Sequence, residues 1–254
     1  MPLAPAAPPT HADEAPRYYA LVPCAGTGSR AGTPQPKQYQ PVAGEPLVMH
    51  TLRALAGVAR LHTGLVALSP KDDFAWPEGG AWPGIFVRAH CGGSTRAQTV
   101  LNGLQVLRAH GARDSDWILV HDAARCLITA DMVNALIDAC ASDAVGGLLA
   151  LPLPDTLKQS RAGRVAQTVP RDDKWLAQTP QMFRLGMLQQ ALQHQAATGF
   201  EGVTDEASAL ELAGHQPLLV EGSAYNFKVT YPQDFALAQA VLASRRGKLQ
   251  KESS

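Results

Sequence analysis

Five short apolar runs alternate with helical patterns from residue 18 onward, and this alternation limits the possible folds more than any other feature. Several of the runs are near-continuously apolar rather than alternating, as expected for strands of a sheet that is covered on both faces. They occupy residues 18–23, 61–70, 85–91, 116–125 and 146–155. The helical patterns occupy residues 46–58, 94–111, 129–142, 184–198, 204–213 and 232–246. Strand–helix alternation predicts an α/β fold with a mostly parallel, twisted sheet, right-handed crossovers and helices on both faces.

Residues suited to helix ends mark several boundaries. Ser94, Thr129 and Thr204 are predicted N-caps, because each stands at the start of a helical pattern and has a side-chain oxygen that can accept a hydrogen bond from the first turn. Gly111 and Gly214 are predicted to end helices, since glycine readily adopts the left-handed conformation found there.

Charge and composition exclude several classes of function. Lys+Arg and Asp+Glu both number 22, so the formal net charge is zero, which argues against a nucleic-acid partner. The four cysteines include no C-x-x-C pair. No apolar run approaches the roughly 18 residues that a membrane span needs. We therefore expect a cytoplasmic protein with reduced thiols and with neither a nucleic-acid nor a membrane partner.

The chain ends differ in composition from the residues between them. Residues 1–17, rich in Pro and Ala, predict a disordered lead-in, and residues 245–254 predict a polar tail. Residues 18–244 contain no internal repeat and predict a single domain. Within it, residues 152–180 predict a hairpin of short strands around 161–163. The residues alone favour equally an arm that embraces a second subunit and a surface excursion without a partner.

The loop after the first strand has a composition suited to an anion. Residues 24–37 hold three glycines, the cations Arg30 and Lys37, and no carboxylate. Ligands of such sheets bind beyond the carboxyl ends of the strands. Glycines allow backbone N–H groups to approach an anion closely. The loop is therefore predicted to wrap a polyphosphate.

Two other motifs and a loop without function compete with this interpretation. Gly26-x-Gly28-x-x-Ala31 has the spacing of a dinucleotide-binding fingerprint, but that motif opens a helix. Pro34 and Pro36 follow at once, and proline inside a helix costs about 3 kcal/mol. The second strand also ends without an acidic residue for a ribose, and the loop lacks the glycine that precedes the lysine of a Walker A motif. A mobile surface loop is the remaining alternative.

The loop after the third strand offers short polar groups. Gly92 and Gly93 are followed by Ser94, Thr95 and Thr99 at a helix start. These groups suit a base or a ribose, although a Gly-Gly turn with a serine cap is also ordinary structure.

The last two loops add charged residues. Asp122 ends the fourth strand, where it can hold a metal or a sugar hydroxyl or can cap the next helix, and Arg125 follows one short turn later. His121 is expected to be a packed neighbour rather than a general base. Lys228 is predicted to lie in a short strand beside Asn226, and its importance depends on whether that strand ends near Asp122.

Taken together, the loop motifs resemble those of the 2-C-methyl-D-erythritol 4-phosphate cytidylyltransferases of isoprenoid biosynthesis. The matching segments, in order, are PCAGTGSR…PKQY, GGSTRAQTV…GL, VHDAAR, DTLK, TVPR, QTPQ, TDEASALE and NFKVT. The resemblance covers essentially all of residues 18 to about 244. The resemblance implies a Rossmann-like nucleotidyltransferase fold with an inserted β-arm for dimerisation, a homodimer, and Mg²⁺ or another divalent cation. It implies transfer of the cytidylyl group of CTP to methylerythritol phosphate with release of pyrophosphate.

The resemblance also implies roles for particular positions. Residues that match the family's catalytic positions are Arg30 and Lys37, on the triphosphate and transition state, and Arg171 and Lys228, on the methylerythritol phosphate. Residues that match its nucleotide-contacting segments are Cys24, Ala25, Gly26, Gly93, Ser94 and Thr99. Residues that match its acceptor site are Asp122, Arg125 and Thr156, the last contributed by the arm across the dimer. The metal is expected mainly on the CTP phosphates, and no protein ligand is assigned to it.

Two positions depart from the family pattern. Cys126 stands where the family commonly has proline, and this change can loosen the loop after Arg125. Ser94 stands where an acidic residue is common, so a base or ribose contact by its side chain is in doubt while a backbone contact survives.

The implied reaction fits the cationic loops. A phosphate monoester already carries about −1.5 to −2 charges at pH 7, so direct in-line attack on the α-phosphorus needs no general base. The barrier is the meeting of two anions, which cations and backbone amides lower. The alternatives are a cytidylyltransferase for another polyol phosphate such as ribitol 5-phosphate, a nicotinamide-dependent dehydrogenase, and a catalytically silent nucleotide-binding regulator.

Overall fold

The computed structural model describes residues 15–26, 35–76 and 82–252 of the 254-residue chain. The strands are β1 (Tyr18–Cys24), β2 (Pro41–Val42), β3 (Glu45–Pro46), β4 (Leu61–Leu68), β5 (Phe86–Ala89), β6 (Trp117–Val120), β7 (Gly146–Pro152), β8 (Leu157–Arg161), β9 (Arg164–Val169), β10 (Trp175–Arg184) and β11 (Leu218–Glu221). The α-helices are α1 (Leu47–Ala56), α2 (Arg96–Ala109), α3 (Ala130–Cys140), α4 (Leu185–Ala196), α5 (Glu206–Leu212) and α6 (Pro232–Glu252). Residues 1–14 of the predicted lead-in, and Arg30, lie outside the described residues.

The central sheet has seven strands in the order β11-β7-β10-β6-β1-β4-β5. Adjacent strands of this sheet run parallel to each other, except that β10 runs antiparallel to both β6 and β7. The mostly parallel sheet is therefore confirmed. The strand β11 at the β7 edge was not predicted, because its exposed leucines give no buried apolar run.

Helices cover both faces of this sheet, as predicted. On one face α1 and α3 bury Leu52 and Leu136 against β1, β4 and β6. On the other face α2, α4 and α5 bury Leu104, Leu188 and Leu210. The near-continuous apolar sequence of the central strands follows from this double coverage. Among the described helices, none is long and apolar enough to cross a membrane.

Two of the three predicted N-caps are wrong by one residue. The Thr95 side chain, not Ser94, accepts a hydrogen bond from Gln98 N at the start of α2 (3.0 Å). The Asp205 side chain, not Thr204, accepts from Ser208 N at the start of α5. Adjacent residues with side-chain oxygens compete for this position, and the backbone conformation selects one.

The remaining predicted helix ends are confirmed. Thr129 caps α3 through Met132 N. Gly111 and Gly214 follow α2 and α5 with φ of +92° and +85°, the left-handed region that terminates helices.

The irregular region between β7 and β10 forms the predicted hairpin. Strands β8 and β9 pair only with each other, through a turn at Ala162 and Gly163, both of which have positive φ. The chain then enters β10, which begins at Trp175 and continues into the central sheet. The hairpin, with its flanking residues 152–174, is called the arm below.

The C-terminal helix packs by a separate small core. Ala238 of α6 is buried with Leu47, Leu127 and Val229. The helix continues through residues 245–252, within the segment predicted as a polar tail. This packing fixes Val229, and with it the residues that follow β11.

Candidate functional site

A cavity of about 490 Å³ lies beyond the carboxyl ends of β1 and β6. Nine of the predicted site residues line it: Cys24, Ala25, Gly26, Lys37, Gly93, Ser94, Thr99, Asp122 and Lys228. They come from four separate segments of the chain, and the parallel strands bring those segments to one edge. The site predicted from the sequence is thus brought together in its larger part.

Two predicted cations lie on the same cavity. Lys37 and Lys228 both line it, and Lys37 Nζ donates a hydrogen bond to Val229 O (2.8 Å), next to Lys228. The third predicted cation, Arg30, belongs to residues 27–34, which lie outside the described part of the chain. Positive charge from two distant segments therefore converges on one side of the sheet.

The start of the glycine loop is held by a buried amide. Gln38 Nε2 donates to Cys24 O (3.2 Å) and to Gly26 O (2.9 Å). Burial raises the pKa of the Cys24 thiol to about 12, so this thiol is neutral at the cavity wall. In the described residues after the loop, Lys37–Tyr39 form a 3-10 turn and α1 begins only at Leu47.

Gly92 is required for the close approach of two loops, and Gly93 for the close packing of its turn against the first turn of α2. A Cβ on Gly92 would lie 2.8 Å from Leu68 O, and one on Gly93 would lie 2.2 Å from Gln98 Cγ. Gly93 N also donates to Thr99 Oγ1 (3.0 Å), and that hydroxyl donates to Thr95 O (2.9 Å). Thr99 therefore shapes the turn at the cavity as well as lining it.

Asp122 is the centre of the charge in the cavity. Its carboxylate accepts from Lys228 Nζ (2.7 Å) and Arg96 Nε (3.0 Å), and Arg125 Nε lies 3.9 Å away. Burial alone would raise the pKa of Asp122, but Arg96 and Lys228 lower it well below its usual range. Asp122 is therefore ionised, and it ties three cations to one point of the site.

Arg96 and Glu206 form an ion pair that sequence reasoning missed. Arg96 Nη1 and Nη2 donate to Glu206 Oε1 (2.7 Å) and Oε2 (3.0 Å), a bidentate contact with a carboxylate that is 1% exposed. Burial would lower the pKa of Arg96, but Glu206 and Asp122 raise it. The two residues stand at the first positions of α2 and α5, 110 positions apart, so no local spacing relates them.

The loop that carries Lys228 corrects a sequence prediction. Residues 223–230, called the lysine segment below, form no strand. Instead, Val229 N donates to Ala124 O (2.9 Å) and Asn226 N donates to Ser223 O (2.9 Å). The apolar residues that suggested a strand, Phe227 and Val229, pack against α6 and the loop after β6.

Arg125 makes contacts different from those expected of an acceptor residue. Its Nη1 donates to Asn226 O (2.7 Å) and its Nη2 to Ala177 O (3.2 Å). Its side chain is 11% exposed and is not part of the cavity lining. In this chain Arg125 joins the loop after β6 to the lysine segment and to β10.

Arg171 and Thr156 lie together on the arm, apart from the cavity lining. Both are exposed, and Arg171 Nη1 donates to Pro154 O at the base of the arm. One chain therefore does not bring these two predicted residues to the cavity.

His121 is buried and neutral, as expected of a packed neighbour. Nε2–H can donate only to the carbonyl of Arg125 (3.2 Å), and Nδ1 then accepts from Thr179 Oγ1 (3.1 Å). That hydroxyl itself accepts from Asp122 N (3.0 Å). Burial lowers the pKa of His121 to about 4.

The buried His121 predicts a pH-dependent stability. Its folded pKa lies below the ordinary value of about 6.5, so the unfolded chain binds more protons between these values. The free energy of unfolding should therefore fall by on the order of 3 kcal/mol as the pH drops from about 6.5 to about 4. Urea titrations across this range should show the slope in the wild type and its loss in His121→Gln. An unchanged slope in the variant would exclude His121 as its source.

The fold and the cavity define a class: an α/β protein with a candidate ligand site at the carboxyl edge of a mostly parallel sheet. Comparison with known proteins identifies the family within this class. The family model described as 2-C-methyl-D-erythritol 4-phosphate cytidylyltransferase matches residues 18–244. The chain belongs to this family.

Individual relatives agree. The cytidylyltransferase of this name from Chromobacterium violaceum is 53% identical over 228 residues, which are 89% of this chain and 98% of that protein. The bifunctional enzyme IspD/IspF of Albidiferax ferrireducens is 60% identical over 233 residues, 92% of this chain and 54% of that protein. The chain thus spans about half the length of the bifunctional relative.

Solved structures agree as well. A 4-diphosphocytidyl-2C-methyl-D-erythritol synthase superposes with a TM-score of 0.77 at 37% identity, over 89% of this chain and 98% of that one. The Francisella tularensis cytidylyltransferase superposes with a TM-score of 0.75 at 33% identity, over 87% and 98%. These matches confirm the resemblance and the α/β nucleotidyltransferase-like fold inferred from the sequence.

Proposed function

We propose that this chain transfers the cytidylyl group of CTP to 2-C-methyl-D-erythritol 4-phosphate, giving 4-diphosphocytidyl-2-C-methyl-D-erythritol and pyrophosphate. Membership of the family over residues 18–244 carries this proposal. The cavity supports it, because Lys37 and Lys228 supply positive charge on one side of the sheet.

The proposed reaction is direct in-line displacement. An oxygen of the acceptor phosphate forms a bond to the α-phosphorus of CTP, the bond to the β-phosphate oxygen breaks, and pyrophosphate leaves with that electron pair. The acceptor phosphate is already anionic, so no general base is needed. Consistently, the neutral His121 is turned away into the interior.

The chain's own contribution is positioning and charge. We propose that Lys37, together with Arg30, stabilises the triphosphate and the charge that develops on it. Lys228 would hold the acceptor phosphate against the α-phosphorus while Asp122 fixes the ammonium group. Backbone at Cys24–Gly26 and Gly93–Ser94 would contact the nucleotide.

Mg²⁺ or another divalent cation is proposed as the cofactor. Asp122 is the one carboxylate in the lining of this cavity and already faces three cations, and no group of three or more His, Cys, Asp or Glu side chains suited to a metal occurs among the described residues. The metal would therefore sit on the phosphate oxygens of CTP, where it would gather them and offset their charge.

A test of the reaction is pyrophosphate release, measured for each of the four nucleoside triphosphates with methylerythritol phosphate or ribitol 5-phosphate as the acceptor. We expect release only with CTP, a divalent cation and methylerythritol phosphate. Equal rates with ribitol 5-phosphate would replace the proposed acceptor, and CTP binding without release would indicate a silent regulator.

We also propose a homodimer in which the arm of one chain completes the cavity of the other. The exposed arm carries Arg171 and Thr156, and large apolar side chains at Val165, Trp175 and Leu176 on the arm and at the start of β10 are exposed as well. Exposed apolar groups close together favour association with another surface. The arm would thereby bring the two predicted acceptor residues to a partner's site.

Arg171→Ala should then raise KM for methylerythritol phosphate about tenfold and leave KM for CTP within about twofold, because the lost charge contacts only the acceptor. Steady-state kinetics with each substrate varied would measure this. Arg161→Ala, an exposed cation at the tip of the same hairpin, is the matched control. Equal changes for both substrates would remove Arg171 from the acceptor.

Sharing of the arm between subunits has its own test. Mixed dimers of Arg171→Ala and Lys37→Ala chains should regain activity, since one composite site per dimer keeps both residues. Verified heterodimers without such a gain would contradict the shared site.

A further inference from the structure

The lysine segment has no regular secondary structure, yet its Lys228 lies 2.7 Å from Asp122. Something other than a backbone ladder must hold it. The segment is fixed at its far end by Val229, whose N–H donates to Ala124 and whose carbonyl accepts from Lys37. The near end depends on a different set of contacts.

At the near end the fixing groups are two buried side-chain amides. Asn226 is 0% exposed and Gln178 is 5% exposed. Asn226 Nδ2 donates to Thr179 O (2.9 Å) and to Gln178 Oε1 (3.2 Å), which uses both of its N–H groups. Gln178 Nε2 donates to Ser223 O (2.9 Å), at the start of the lysine segment.

The contact between Gln178 and the lysine segment forms where the pairing of the central sheet is irregular. Pairing of β10 with β7 is interrupted between Ala177 and Gln181, so Gln178 and Thr179 are released from that ladder. Gly222 follows β11 there, and a Cβ on it would lie 2.4 Å from Gln178 Oε1. Arg125 Nη1 completes the arrangement by donating to Asn226 O.

From this geometry we propose that Asn226, supported by Gln178, is a positioning residue that sets the place of the Lys228 ammonium group. Asn226 touches neither the cavity nor, by the proposed reaction, a substrate. It acts through the backbone, because Lys228 lies only two residues further along the chain. Loss of its donors would leave Lys228 in the chain but displaced from Asp122.

The inference rests on the proposed function, and a double-mutant cycle distinguishes a failure of the inference from a failure of that function. The four proteins are wild type, Asn226→Ala, Lys228→Ala and the double variant. We expect Asn226→Ala to lower kcat/KM for methylerythritol phosphate about tenfold in the wild type, and less than about twofold when Lys228 is already absent. The same loss in both backgrounds would overturn the inference.

The readout does not depend on detectable turnover in every variant. The dissociation constant of methylerythritol phosphate, measured beside a non-reactive CTP analogue, gives the same cycle by binding. If the wild type itself transfers no cytidylyl group, the proposed function fails. If it does transfer and the cycle is additive, only the positioning role fails.

Two further variants guard against a merely structural effect. Gln178→Met removes the partner of Asn226 at similar size, and it should lower kcat/KM in the same direction if Asn226→Ala does not fold. Asn134→Ala is the control, because Asn134 and Asn226 each have a buried side-chain oxygen without a hydrogen-bond partner among the described residues, and Asn134 lies on α3 rather than in the lysine segment. An equal loss of kcat/KM in Asn134→Ala would contradict the positioning role.

Discussion

Lys37→Ala should lower kcat about 10²–10³-fold while the chain stays folded, because it removes a cation from the position proposed for the developing triphosphate charge. Lys37 lines the cavity and lies on the same side as Lys228. Its loss also leaves Val229 O without this donor, at a cost of about 1–3 kcal/mol. Pyrophosphate release under saturating CTP and acceptor measures the rate, and the thermal unfolding midpoint measures the fold.

The matched control for Lys37 is Arg108→Ala. Arg108 is an exposed cation near the C-terminal end of α2, bonded to Gln189 and paired with Asp114. We expect this variant to keep kcat within about twofold, since surface pairs contribute about 0–1 kcal/mol and the residue is not part of the cavity lining. A Lys37→Ala enzyme with changed KM alone would show that Lys37 binds ground state and transition state equally.

Asp122→Asn should lower the free energy of unfolding by about 3 kcal/mol, because removing one partner leaves buried cations uncompensated. Arg96, Arg125 and Lys228 all point at this carboxylate, and Glu206 would still balance Arg96. The variant should also lose most cytidylyl transfer, since Lys228 loses the group that fixes it. Urea denaturation and pyrophosphate release test the two effects on the same preparation.

The loss of stability in acid distinguishes Asp122 from Asp114, a mostly exposed carboxylate. Its folded pKa is lowered, so its stabilisation is complete above the ordinary pKa of about 4 and is lost as the pH falls below that value. Asp122→Asn should therefore flatten the stability curve below about pH 4, outside the window assigned to His121. Asp114→Asn, whose carboxylate is 69% exposed, should change stability by less than about 1 kcal/mol. A comparable loss in both variants would contradict the role given to Asp122.

Much of the architecture could be predicted because its cause is local. A strand buried on both faces must be apolar along its length, which marks β1, β4 and β6 in the sequence. An edge strand need not be apolar along its length, so it leaves no such pattern in the sequence. The strand β11, whose leucines are exposed at the sheet edge, was therefore not predicted. Lys228 shows the opposite error: its apolar neighbours predicted a strand, but they pack against α6 from an irregular segment.

The residues of the candidate site also fall into those that could be predicted from the sequence and those that could not. The glycine loop with Lys37, the Gly92-Gly93 turn and Asp122 each follow a strand, so sheet topology places them at one edge. Arg96 and Glu206 were missed because an arginine in the first turn of a helix and a glutamate in the first turn of another are ordinary on their own. Arg96 is identified only by the two carboxylates that it contacts, Asp122 and Glu206, which lie 26 and 110 positions away along the chain.

The amino-acid sequence by itself determined the alternation of strands and helices, the cationic glycine loop and the family. Each of these depends on residues that are close along the chain or on motifs in a fixed order. Only the tertiary structure decided that Arg96, Lys228 and Arg125 converge on Asp122, and that Asn226 and Gln178 hold the lysine segment. Such contacts form because strand pairing and core packing bring distant segments together, and a buried charge or amide is stable only where that packing supplies its partner.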